Sequence, residues 1–232
     1  MSSYKRLLAI GDIHGQYEML LAVLDKAKYN HREDKLILLG DYIDRGPNSK
    51  QVVNKVRELV AGGAVALLGN HEAMMIAAIK DKRRTEPNHI AKKYSDWKNH
   101  SGGEQTFNSF AGNIEEMYAA TKFFATMPLY YATKDFVFAH GAVNPLGHTY
   151  LPKQGVNTLL WKRQNDFPKL RHNNKTIVVG HTPVQFVCAD ENFIEPLVQE
   201  HAIYMDTGAV WAGEAKAALT IMDLFTKEYW QV

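Results

Sequence analysis

Six stretches of the chain repeat one arrangement: a short apolar run, often β-branched, then a small residue, then at once a polar side chain. They are LLAIGDIHG (7–15), LILLGDYIDRG (36–46), AVALLGNHE (64–72), FVFAHGA (136–142), TIVVGHT (176–182) and AIYMDTG (202–208). Apolar runs of this length read as buried strands. Between the first three the period changes. QYEMLLAVLDKAK places Met19, Leu20, Val23, Leu24 and Ala27 on one helical face, and SKQVVNKVRELV does the same with Val52, Val53, Val56 and Leu59. Strand, helix, strand, helix, strand predicts parallel pairing with helices packed on the sheet. Residues 80–126 read as helix and loop with a break at Gly102–Gly103, and beyond Pro128 the pattern turns strand-rich. The expectation is an α/β chain: two packed sheets flanked by helices, in one domain spanning 1–232.

Composition narrows this picture modestly. A net charge of +2 gives no general attraction to nucleic acid or to an anionic membrane. The apolar runs LLAI and AMMIAAI are too short for a signal-peptide core or a membrane span, so a soluble, cytoplasmic protein is expected. Cys188 is the sole cysteine, which excludes an internal disulfide. Its apolar setting, VQFVCAD, predicts a buried structural thiol.

The chemistry sits at the strand ends, where ligands of parallel sheets collect. There the sequence places Asp12, His14, Asp41, Asp44, Arg45, Asn70, His71, His140, His181 and Asp206. Carboxylate and imidazole together suit Mn, Fe or Zn, and there are enough candidate ligands for two ions. The glycines before them are expected to let the chain turn and the backbone approach a metal centre. The remaining histidines (His31, His89, His100, His148, His172 and His201) lack this setting and are expected to be exposed or locally hydrogen-bonded. The tyrosines and tryptophans of the C-terminal half are expected in the core.

GDIHG, GDYIDRG, GNHE, AHG and GHT, in this order and spacing, resemble the phosphoprotein phosphatase family of calcineurin-like binuclear metallophosphoesterases, in its small bacterial and phage branch. That resemblance implies two divalent ions, Mn²⁺ before Fe or Zn. It implies Asp12 and His14 on the first ion, Asp41 bridging, and Asn70, His140 and His181 completing the second. His71 would be the general acid, oriented by Asp44. Arg45 would clamp the phosphoryl oxygens, with Arg163 of LLWKRQ as a second clamp and Asp206 as a supporting residue. Hydrolysis would be direct, by hydroxide formed from a water bridging the ions. The favoured substrate is a phosphoserine or phosphothreonine protein. The alternative is a dinucleoside tetraphosphate cleaved symmetrically to ADP, as in the closely similar tetraphosphatases. No obligate protein partner is expected. Between Lys80 and Lys98 seven basic residues face three acidic ones. That segment is expected above the metal edge, as a solvated face or as a polyphosphate clamp. WKNHSGGEQTF resembles the double-glycine stretch of the bacterial members and otherwise reads as a turn and a capped helix.

Overall fold

A computed structural model describes residues 4–86, 89–147, 150–214 and 216–232. The first strand-end units fold as β1 (Arg6–Ile10), α1 (Tyr17–Lys26), β2 (Asp34–Leu38), α2 (Ser49–Ala61), β3 (Val65–Ala66) and α3 (Asn70–Arg84). A helical segment follows: α4 (Lys92–His100), α5 (Gly103–Ser109) and α6 (Ile114–Phe124). The strand-rich half holds β4 (Tyr130–Ala132), β5 (Phe136–Ala139), α7 (Val156–Trp161), β6 (Thr176–Val179), α8 (Val184–Cys188), β7 (Leu197–Val198), β8 (Ala202–Tyr204), β9 (Thr220–Asp223) and β10 (Tyr229–Gln231).

Two five-stranded mixed sheets form, in the orders β10-β9-β1-β2-β3 and β4-β5-β6-β8-β7. As the pattern predicts, β1, β2 and β3 pair in parallel, and so do β5, β6 and β8. Side chains alternate along each strand, which divides the core into three layers. Leu7, Ala9, Ile37 and Leu39 meet Phe138, Val178, Ile203 and Met205 between the sheets. Leu8, Ile10, Leu36 and Leu38 face the other way, onto Leu20, Val23, Val52 and Val56 of α1 and α2. On the outer face of the second sheet Val137, Ile177 and Tyr204 pack on Leu159 and Val184. This two-sided burial explains why the strands read as unbroken apolar runs. Among the described residues, no helix is long and apolar enough to cross a membrane.

Several expectations change. Cys188 is only half-buried, as the last residue of the five-residue helix α8. His201 is buried, at 7% exposure, whereas His31, His89 and His100 are exposed. His172 is buried at 1% but is locally hydrogen-bonded as expected, its Nε2 3.4 Å from Asn173 Nδ2. His148 lies outside the described residues. Lys80, Lys82, Arg83 and Arg84 occupy the last turns of α3, about 14–20 Å from His71 at 1.5 Å per residue. They do not overhang the strand ends. Arg83 pairs with Glu115 at 2.7 Å and stacks on Tyr118, as expected of a solvated face.

Candidate active site

The carboxyl ends of β1, β2, β5, β6 and β8 converge, and α3 starts there too. A cavity of about 400 Å³ opens between Asp41, Arg45, Asn70, His71, Arg163, His181 and Asp206. Its floor is buried: Asp12, His14, Asp41, Asp44, Asn70, His71, His140 and Asp206 are each 5% exposed or less. A larger cavity, about 520 Å³, lies against α1 and α2 and carries none of these groups.

Asp41 is the hub. It shares one potential ligand group with His14 and His71, and a second with His140 and His181. His140 Nδ1 donates to the Leu39 carbonyl at 2.9 Å, so Nε2 turns to Asn70 Oδ1 (2.8 Å) and Asp41 Oδ1 (3.4 Å). His181 Nε2 donates to the Trp161 carbonyl at 3.2 Å, which aims Nδ1 at Asn70 Oδ1, 3.0 Å away. On the other side His14 Nδ1 donates to the Ile43 carbonyl, leaving Nε2 to accept from Arg45 at 3.0 Å. Backbone carbonyls thus fix which nitrogen of each ring faces the cavity, as in metal sites.

The titration behaviour reads as a demand for positive charge. Burial, then the neighbouring Asp206, lifts the Asp12 carboxyl well above its ordinary value. Burial chiefly raises Glu72 to about 7 and Asp206 to about 6. Burial opposes a charge on His140, yet the facing Asp41 outweighs it and raises that pKa to about 10. Burial, then the nearby His71, lowers His14 to about 3, while burial and His140 lower His181 to about 4. Those two imidazoles are neutral, as ligands must be. A carboxylate-rich, buried pocket with neutral imidazoles fits divalent cations.

His71 sits apart from this pattern. Its Nδ1 donates to Asp44 Oδ2 at 2.8 Å, leaving Nε2 toward the cavity, 3.9 Å from Asp41 Oδ2. Burial opposes protonation, but Asp41 and Asp44 outweigh it and raise the pKa. Asp44 is fully enclosed. Trp97 Nε1 donates to its Oδ2 at 2.9 Å and the Thr106 hydroxyl donates to its Oδ1 at 2.6 Å. Sequence reasoning missed Trp97 and Thr106, whose partner lies 53 and 62 residues away. The double-glycine stretch is indeed a turn before α5, and it also braces the site, because the Gly102 carbonyl accepts from Arg45 N at 2.9 Å.

Glu72, the last residue of GNHE, also gains a role that its motif alone does not reveal. It accepts from the backbone N–H groups of Asp41 (2.9 Å), Tyr42 (2.8 Å), Ile43 (3.2 Å) and Gly69 (3.1 Å), and so ties α3 to the loop after β2. A side chain on Gly69 would strike Asp41, and one on Gly11 would strike the Met205 carbonyl of the facing sheet. Close approach, rather than a turn, requires those two glycines.

Asp12 lies beside the cavity, accepting from His181 N through both oxygens at 3.0 and 3.1 Å, and is outside both ligand groups. Arg163 lines the cavity together with Arg45. The C-terminal aromatics are not all core: Trp161 is 41% exposed, and Trp211 lines the cavity with Phe186.

The sequence model of calcineurin-like phosphoesterases matches residues 5–219. This chain belongs to that family. Members use a binuclear divalent metal centre, so this phosphoesterase is a phosphoric ester hydrolase, and the strand-end cavity is where its ligand-bearing motifs meet. The phosphoesterase is 26% identical to serine/threonine-protein phosphatase 2 of Salmonella typhimurium, over 90% of each chain. It is 40% identical to the symmetrical bis(5'-nucleosyl)-tetraphosphatase of Klebsiella pneumoniae, over 38% of this chain and 29% of that one. A crystal structure of a provisionally assigned diadenosine tetraphosphatase superimposes on 98% of this chain and 92% of its own, with a TM-score of 0.68 and 18% identity.

Proposed function

We propose that this phosphoesterase is a protein phosphatase that hydrolyses phosphoserine and phosphothreonine directly. The reaction class rests on one observation above all. Asp41 joins two ligand groups, and beside them Asp44 holds His71 with one nitrogen free to the cavity. In this reading Asp12, His14 and Asp41 hold one divalent ion, while Asp41, Asn70, His140 and His181 hold the other, Mn²⁺ before Fe or Zn. When bound, the pair supplies an activated water and neutralises charge on the phosphoryl group. Arg45 and Arg163, which both line the cavity, grip its equatorial oxygens. The α3 N-terminus adds the positive end of a helix dipole. His71 Nε2 gives its proton to the departing serine or threonine oxygen, and Asp44, locked by Trp97 and Thr106, keeps the ring aligned.

The choice of a protein substrate is supported by the extent of similarity. The likeness to the Salmonella phosphatase runs through 90% of both chains, whereas the tetraphosphatase match covers 88 residues. The test compares kcat/KM for a phosphothreonine peptide and for diadenosine tetraphosphate, with the enzyme stripped and reloaded with Mn²⁺. Preference for the peptide is expected. Preference for the dinucleotide, with ADP as the only nucleotide product, overturns the reading in favour of a symmetrical tetraphosphatase.

A further inference from the structure

Two aromatic rings stand at the rim of the cavity, each five residues beyond a polar strand-end residue. Phe186 on α8 follows His181, and Trp211 follows Asp206. The rings meet edge to face with centroids 6.0 Å apart, and Phe186 is 65% exposed. Single exposed apolar residues are ordinary. This pair is different because it divides two depressions. The catalytic cavity lies on one side, and a second of about 370 Å³ lies on the other; Phe186 and Trp211 are the two residues that line both.

The two sides differ in charge. The catalytic side carries Arg45 and Arg163 alongside Asp41 and Asp206, whereas the far side carries Asp190 and Glu191 with Lys216 as its one basic group. Lys216 is engaged by Glu214 at 3.4 Å and lies over the Trp211 ring. Neither Asp190 nor Glu191 has an ion-pair partner among the described residues. Beyond the ridge, a further phosphate would meet carboxylates, while a basic side chain would meet its complement.

We propose that the ridge and the depression behind it select the sequence around the phosphorylated residue: an apolar or aromatic side chain seats on Phe186 and Trp211, and a basic one beyond it faces Asp190 and Glu191. This rests on the reading of the enzyme as a protein phosphatase. Contacts made away from the reacting phosphorus then set kcat/KM between competing peptides.

The test uses phosphothreonine peptides carrying Phe next to the phosphoresidue and Arg two or three positions further, on either side, with single Ala replacements. On the full-length Mn²⁺ enzyme the Phe/Arg peptide is expected to exceed its Ala counterparts by about tenfold or more in kcat/KM, mainly through KM. Phe186→Ala and Trp211→Leu should each bring the Phe/Ala ratio to within about twofold of unity. Asp190→Asn with Glu191→Gln should remove only the Arg advantage, together with its salt sensitivity. If the peptides are hydrolysed with no preference, or Phe186→Ala keeps the full preference, the ridge proposal fails alone. If no peptide is hydrolysed while diadenosine tetraphosphate is, the protein-phosphatase reading fails and this proposal with it.

Discussion

Replacing His71 by Asn separates the two roles its position allows. The ring belongs to a potential ligand group with His14 and Asp41, yet its Nδ1 is committed to Asp44 at 2.8 Å, and its protonated form is favoured by two carboxylates. A proton donor to the leaving oxygen contributes roughly 10²–10⁴ in rate, or about 3–5 kcal/mol of barrier. Asn keeps a polar group beside Asp44 but cannot place a proton where Nε2 does. A phosphothreonine peptide, which leaves as an alkoxide, should therefore lose about 10²–10⁴-fold in kcat/KM. p-Nitrophenyl phosphate, whose nitrophenolate departs unprotonated, should lose less than about tenfold. Metal content, read by mass spectrometry after dialysis, should stay that of the parent enzyme. Equal losses on both substrates with both ions retained would remove His71 as the acid. Loss of one ion would make it a ligand instead.

Two further outcomes test the rest of the design. Asp41→Asn weakens the one carboxylate common to both ligand groups, so it should reduce metal affinity beyond the roughly 10–100-fold that outer partners cost; two ions retained at parental activity would end its bridging role. Far from the site, Asp34 is 8% exposed and takes Arg6 Nε at 2.9 Å, Arg6 Nη2 at 2.6 Å and Asn30 N at 2.8 Å. Burial opposes its charge, but these partners outweigh burial and hold the carboxyl below its ordinary value. That stabilisation is present above the unfolded-state pKa, near 4, and is lost as pH falls through the lower folded value. Asp34→Asn should lower unfolding free energy by about 1–3 kcal/mol at pH 7 and by progressively less below about pH 4, measured by denaturant titration. An equal penalty at both pH values would refute the ion-pair account.

What was legible in the sequence depended on range. The strand-end arrangement and the helical faces at Leu20, Val23, Val52 and Val56 are local patterns, and local patterns fixed the sheets' direction and the edge where polar residues gather. Resemblance of motifs supplied the proposed ligand set. What lay beyond reach was set by packing between distant segments. Nothing near Trp97 or Thr106 in the chain announces that both close on Asp44, and nothing near Phe186 foretells Trp211. His201 is 7% exposed, and nothing in its flanking residues signals that burial. The basic run at the end of α3 was misplaced because motif order says where α3 begins, while only its fifteen-residue length says where Lys80 to Arg84 end up.

The least legible property is also the one that makes the site stiff. His14, Asp41, Asp44, Arg45 and His181 all adopt positive φ, between 46° and 70°, although none is glycine. Such conformations cost of order 1–3 kcal/mol each and persist only where their surroundings impose them. Here the imposing contacts come from elsewhere in the fold. Glu72 takes the amide of Asp41, Thr106 and Ser49 that of Asp44, Gly102 that of Arg45, and Asp12 that of His181. The His14 amide returns to the Asp41 carbonyl, which couples the two loops. Each functional side chain is thus aimed by a backbone bend it would not choose alone, held by a partner from another part of the chain. This is why Glu72 belongs with the ligands in any account of the site. It carries no substrate, but without its four accepted hydrogen bonds the loop bearing Asp41 could relax to ordinary φ, and the two ligand groups would lose the carboxylate they share.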